Sequence, residues 1–325
     1  MLPSRADTDF KPPERFGRGA PDQKGRPVPL RQTTIQRAER GFILWMLAPA
    51  TILMLSLTLV PFLVSVYLSF TDYSLTAPDT INWVGLKNYS DLLSSADFWD
   101  AARITAIFTI VAVGIETVLG VGIAALLHHE VRQASWLRVI YLLPMAITPI
   151  AATFTFRLMF NPTQGVLNYM LGLMGVSPSA WTAAPETALL SLILVDVWQW
   201  TPFILLIVMG GMAALPPEPE EASQMDGAGP FRTFFLVTLP RLKPYLALAL
   251  LFRLIDAFKT FDIIFVLTGG GPGVATRTLN LLAYKYGIEF LSMGYASALA
   301  IVMLVFTLVA GQVFLRRLGL FDLKD

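Results

Sequence analysis

Leu215-Pro-Pro-Glu-Pro-Glu-Glu-Ala-Ser-Gln-Met-Asp-Gly-Ala228, running on to Val237-Thr-Leu-Pro240, is a polar elbow set between two apolar runs. Its physics is local. Pro216, Pro217 and Pro219 fix φ where a helix would begin. Glu218, Glu220 and Glu221 stand in the first turn, where carboxylates complement the positive pole of the helix dipole. Gly227 can end that helix in a left-handed conformation and turn the chain sharply. Phe231, Phe234 and Phe235 are spaced to bury one face of a second short helix, and Pro240 and Pro244 mark its end. The expectation is a compact helix–turn–helix knob.

The frame around the knob is apolar. Of 325 residues, 55% are hydrophobic and only 14% charged, where a soluble domain carries about 25% charged residues. Mean hydropathy is +0.61. So little charge cannot cover a water-exposed surface, and much of the surface must face lipid. A bilayer crossing takes about 20 mostly apolar residues, and six segments meet that: Phe42–Phe70, Ile104–Leu127, Val139–Phe160, Ala188–Met212, Tyr245–Thr268 and Ala296–Leu315. The expected fold is therefore an all-α polytopic membrane protein with six transmembrane helices. Residues 1–41, rich in Pro, Gly and charge, read as a disordered tail, too long and mixed for the leading part of a cleavable signal. The remaining divisions are a first span at 42–70, an outer loop at 71–103, a five-helix core at 104–315 with the elbow at 215–240, and a tail at 316–325.

Lys and Arg give the orientation. Seventeen fall on the side that holds both tails and the elbow, against four on the other, which places both termini and the elbow in the cytoplasm. The outer loop, with Trp83, Tyr89, Phe98 and Trp99, then faces the periplasm, either receiving a partner or anchoring at the interface. The absence of cysteine excludes disulfides, a thiol nucleophile and a thiolate metal site. Only two histidines, His128 and His129, are present, and adjacent histidines do not share a helix face. The net charge of +1 points to no nucleic-acid partner. No G-x-x-x-x-G-K-[ST] phosphate loop is present, so any nucleotide energy must come from another chain.

The spacing Glu221-Ala222-Ser223, then Gly227, then Val237-x-Leu239-Pro240 resembles the EAA loop of binding-protein-dependent ABC importer permeases, and most closely the maltose-type sugar permeases. The family pattern has Ala where Ser223 stands and Ile where Val237 stands. Leu267-Thr-Gly-Gly-Gly-Pro272 is similar to the family as well. The resemblance implies a type I permease core in the bacterial inner membrane and no catalysis by this chain. Glu221, Ala222, Ser223, Asp226, Gly227, Leu239 and Pro240 would engage an ATPase subunit. Its implied partners are two ATPase copies, a second homologous permease, a periplasmic or lipid-anchored solute-binding protein, and membrane lipid. This chain would bind no cofactor or metal, ATP and magnesium residing on the ATPase. The transported solute would be a sugar or sugar-like molecule.

Ionisable residues inside spans are costly and mark pathways or buried pairs. Arg253, Asp256, Lys259 and Asp262 recur at i, i+3 with alternating sign, so neighbours can pair along one helix face. Phe258, Lys259, Thr260 and Phe261 are candidates to line the solute path, since aromatic faces stack on sugar C–H surfaces while polar groups meet hydroxyls. Trp198 and Gln199 are further candidates. A purely structural ladder is the competing reading of the same charges. Glu116 and Asp196 read as isolated acids, for helix packing or, in an ion-coupled secondary transporter working without an ATPase, for proton coupling.

Overall fold

The computed structural model describes residues 32–130 and 135–317. Among these the chain is all-α, and the one β contact is an isolated bridge between Thr71 and Trp83. Two compact units are present, Met1–Phe62 and Leu63–Asp325. The described part of the first is the leading stretch of α1 (Gln32–Ser69), which holds Pro49 and Pro61. The helix begins at Gln32, ahead of the expected Phe42, because Gln, Arg, Ala and Glu before the apolar run are good helix formers. The rest of the expected tail, 1–31, lies outside the described residues, as do 318–325, Arg132 and the side chains of His128, His129 and Arg138.

The second unit continues through α2 (Lys87–Ser94), α3 (Ala96–Glu130), α4 (Ser135–Ala146), α5 (Pro149–Met159), α6 (Val166–Leu173) and α7 (Pro185–Ala214). The elbow holds α8 (Glu218–Met225), α9 (Pro230–Thr233), a π-helical turn at Phe234–Thr238 and α10 (Leu239–Arg241). Then come α11 (Lys243–Phe258), α12 (Asp262–Leu267), α13 (Leu279–Tyr284), a second π turn at Lys285–Glu289, and α14 (Met293–Arg317). Four helices, α1, α3, α7 and α14, are long and apolar enough to cross a membrane, and two bent pairs raise the number to six.

α7 is the central helix. Pro185 opens it, Glu186 sits in its first turn, and it packs against α3, α4, α5, α11 and α12. Its inner side, with Leu192, Val195, Ile204, Leu205 and Val208, is buried along most of its length. Close approach to α3 depends on Gly120, where a Cβ would meet the Ile204 side chain at 2.8 Å.

Two expected spans are not straight. The third breaks between α4 and α5, which meet at 103°. Pro149 forces Thr148 into an extended conformation (φ −62°, ψ 138°), which no α-helix continues through. The fifth breaks between α11 and α12 at residues 259–261, without proline or glycine. There the carbonyl of Lys259 accepts a hydrogen bond from Asn280 Nδ2 at 2.6 Å. This break is made by a tertiary contact.

The link after α1 is ordered against the start of α14. Asn88 Nδ2 donates to the carbonyls of Ser69 and Thr71 at 2.9 and 2.8 Å, and Gly294 N–H donates to the Tyr73 carbonyl at 2.9 Å. Asp72 accepts from the side chain and backbone of Asn82, which hold its carboxyl below the usual range. Of the outer-loop aromatics, Phe98 is buried, Tyr89 donates to Ser69 Oγ at 2.7 Å and Trp83 stacks on Phe70, while Trp83 and Trp99 stay largely exposed.

A Cβ on Gly294 would lie 2.2 Å from the Thr71 carbonyl oxygen, a backbone atom that cannot swing away, whereas one on Gly122 would meet nothing within 4 Å. Gly294→Ala is expected to cost at least about 2 kcal/mol by overpacking and to lower the melting temperature of the detergent-solubilised chain. Gly122→Ala, inside α3, is expected not to lower it, since alanine is the better helix former.

Candidate functional site

The elbow forms from its own sequence. Pro219 occupies the first turn of α8 with Glu218, Glu220 and Glu221. The helix closes on Gly227 at φ +83°, with Gly227 N–H donating to Gln224 O and Ala228 N–H to Ser223 O, both at 3.0 Å. These paired bonds satisfy the last carbonyls and require a left-handed residue at Gly227.

The second limb, Pro230–Arg241, is tied to the first at three points. Ser223 Oγ and Thr233 Oγ1 are 3.1 Å apart, Thr238 Oγ1 donates to Glu220 Oε1 at 2.7 Å, and Arg241 Nη2 donates to the Pro216 carbonyl at 3.2 Å. Glu220 and Ser223 share one face of α8, and their partners Thr233 and Thr238 are buried. Glu221, Ala222 and Asp226 are left exposed, Leu239 is half-buried and Pro240 exposed. The phenylalanines do not all bury as their spacing implied. Phe234 does, but Phe231 and Phe235 are 60% and 51% exposed, because the inner face of the limb is taken by the two threonines. At the base of the elbow, Leu242 is fully buried, and Gly211 of α7 leaves room for Leu242 and Tyr245.

Farther along α11 lies a polar hub that the sequence reading did not assemble. Arg253, 1% exposed, donates from Nε and Nη2 to the two oxygens of Glu116 at 2.7 and 2.8 Å. Nη2 also reaches Asp196 Oδ2 at 2.7 Å, and Nη1 reaches Asp256 Oδ2 at 2.5 Å. The Trp200 ring lies 5.0 Å from the guanidinium carbon. Glu116 and Asp196 are therefore not isolated acids: both are fully buried against one arginine, joining α3, α7 and α11. Of the expected ladder only the Arg253–Asp256 rung forms, because the helix stops before Lys259. The missed signal was a mid-span cation facing two mid-span anions on other helices.

Four of the remaining candidates, Phe258, Lys259, Thr260 and Phe261, lie at the α11–α12 break. Phe258 stacks on Phe306 of α14 at 5.1 Å, and Phe261 stacks on Phe265 and packs on Tyr284, each at 5.1 Å. Lys259 is exposed, and half-buried Thr260 donates to the Asp256 carbonyl at 3.3 Å. Trp198 is partly exposed beside Phe156. Gln199 stands apart from this set. It is buried and donates from Nε2 to the Ile147 carbonyl at 3.1 Å, serving the α4–α5 break, where a carbonyl freed within the membrane needs a partner. No group of three or more potential metal ligands occurs among the described residues.

Arg253→Met would leave Glu116 and Asp196 buried without their counter-charge, a loss of about 3–5 kcal/mol. Arg253→Lys is expected to recover little, since an ammonium cannot bond both Glu116 oxygens and Asp196 in the planar fork. Both variants should show lower yield of monodisperse protein on size exclusion and a lower melting temperature. A double variant, Arg253→Met with Glu116→Gln, should be closer to the parent than Arg253→Met alone.

Residues 116–316 match the family described as binding-protein-dependent transport system inner membrane component. The trehalose/maltose transport system permease protein MalF of Thermococcus litoralis is 41% identical over 72% of this chain and 79% of its own length. The sulfoquinovosyl glycerol transport system permease protein SmoG of Agrobacterium fabrum is 34% identical over 86% of this chain and 90% of its own. Among solved structures, a bacterial ABC transporter involved in import of the acidic polysaccharide alginate superposes with a TM-score of 0.76, covering 89% of this chain and 99% of the other. At 19% identity that likeness is one of fold. With the family match spanning more than half of its length, this chain belongs to the binding-protein-dependent transport system inner membrane components.

Proposed function

We propose that this chain is one permease subunit of an ATP-driven importer, and that its solute is a sugar or sugar-like molecule. It forms half of the path with a second, homologous permease. Two ATPase subunits hold the ATP and magnesium, and a periplasmic or lipid-anchored binding protein delivers the solute. The observation that carries the reading is the elbow, which presents Glu221, Ala222 and Asp226 outward and is braced to its second limb and to the base of α7. Both termini and the elbow lie in the cytoplasm, in keeping with seventeen basic residues on that side against four on the other.

In mechanism, the elbow takes the push of ATPase closure near Glu221 to Gly227, and the brace passes it to α11 rather than bending the loop. α11 is bonded through Arg253 to α3 and α7, so the three helices move as one body. The helix stops at Phe258, and non-helical backbone at membrane depth belongs inside protein or along a water-filled path rather than against lipid. This supports reading Phe258, Lys259, Thr260 and Phe261, with Trp198 on α7, as path-lining residues. Aromatic faces and a cation suit a hydroxyl-rich solute, and a neutral saccharide, a polyol and a phosphorylated or sulfonated sugar all fit this lining. The relatives named for trehalose/maltose and sulfoquinovosyl glycerol support the sugar class.

The test is uptake by the reconstituted transporter. Solute should enter only with ATP and the ATPase present; uptake by this chain alone under an ion gradient would overturn the reading. A Cβ on Gly227 meets nothing within 4 Å in this chain, so within the elbow a substitution there acts through φ. Gly227→Val should reduce ATP-fuelled uptake about tenfold, given a left-handed strain of about 1–2 kcal/mol. Gly227→Asn, which tolerates that conformation, should stay near the parent.

A further inference from the structure

The elbow separates its charges. The first limb, 216–228, carries Glu218, Glu220, Glu221 and Asp226 and no base; the segment 229–244 carries Arg232, Arg241 and Lys243 and no acid. The second limb also turns its apolar side out. Phe231, Phe235 and Leu236 are 60%, 51% and 64% exposed, beside exposed Arg232, while Thr233, Phe234 and Thr238 face inward. Positions 231 and 235 are one turn apart, as are 232 and 236, so the four form one continuous face. The limb is bent 70° from α11. With α11 crossing the bilayer, such a limb runs nearly along the membrane surface and stays continuous with the lipid-facing span.

We infer that the second limb is an interfacial membrane anchor, seated on the anionic headgroups of the cytoplasmic leaflet. Phe231, Phe235 and Leu236 enter the headgroup–acyl boundary and Arg232 pairs with lipid phosphate. Large apolar side chains with basic neighbours on a helix lying in the plane are what such a surface binds. The four carboxylates of the first limb are repelled by the same leaflet, so the anchor holds α8 pointing away from the membrane. The ties Ser223–Thr233 and Glu220–Thr238 make the two limbs one piece, so anchoring one orients the other. The inference rests on the cytoplasmic placement of the elbow given above.

The parent chain has no cysteine, so single labels can be placed cleanly. Phe231→Cys, Phe235→Cys and, for contrast, Met225→Cys at the 89% exposed tip of α8 would each carry a nitroxide. Each full chain is reconstituted with its ATPase in vesicles of phosphatidylcholine and phosphatidylglycerol. Power saturation then compares collisions with oxygen and with a water-soluble nickel chelate. The oxygen-to-nickel ratio at 231 and 235 should exceed that at 225 several-fold, with and without the ATPase, and should fall when phosphatidylglycerol is omitted. Equal ratios at all three sites would overturn the anchor and leave the importer reading intact. So would loss of both accessibilities at 231 and 235 only when the ATPase is added, which would mark a protein-covered face. Reaction of Met225→Cys with an impermeant thiol reagent from the periplasmic side would instead overturn the topology beneath both readings.

Discussion

Arg253 is bonded to carboxylates from three helices, and the rest of the core is arranged around keeping it so. An unpaired guanidinium at mid-span would face a large desolvation penalty. Glu116 on α3 and Asp196 on α7 remove it with hydrogen bonds of 2.7–2.8 Å. Asp256, reaching toward the exposed side, completes the fork. Because lipid supplies no hydrophobic force between helices, such a bond set fixes both the rotation and the depth of each helix. Small residues then allow the close contacts that follow: Gly120 beside Ile204, and Gly211 beside Leu242 and Tyr245.

The elbow depends on the same frame. Its two limbs are tied by hydroxyl and carboxylate contacts, and its base is locked by Leu242, which is fully buried. One helix, α11, thus begins at the elbow, passes through the arginine hub and ends at the break beside Phe261 and Tyr284. That continuity joins the elbow, the arginine hub and the break in one helix of a multi-pass inner membrane component.

Much of this was legible in the chain. Long apolar runs declared an all-α membrane protein, and the proline, acid and glycine order of residues 215–228 declared a helix ended by a left-handed turn, because those signals act within a few residues. The tertiary pairing of charges was less legible. Spacing along one helix made Arg253, Asp256, Lys259 and Asp262 look like a ladder, yet Arg253 finds its main partners on other spans, and no local pattern states which helices are neighbours. The hydrogen-bond partner of Gln199 was illegible for the same reason. A polar side chain in a span can face a path or satisfy a broken backbone, and the α4–α5 break that claims it lies far away in sequence.

The sequence by itself determined where the apolar spans fall and the course of the elbow, since each follows from hydropathy, φ restriction or dipole chemistry inside one segment. Only the tertiary structure decided that α11 stops at Phe258, where Asn280 on α13 takes the Lys259 carbonyl in a stretch free of proline and glycine. It alone decided that three buried ionisable residues form one cluster, and that Phe231 and Phe235 face outward while Thr233 and Thr238 face in. Those outcomes turn on which surfaces meet, and burial of a side chain is a property of its neighbours, not of its own spacing.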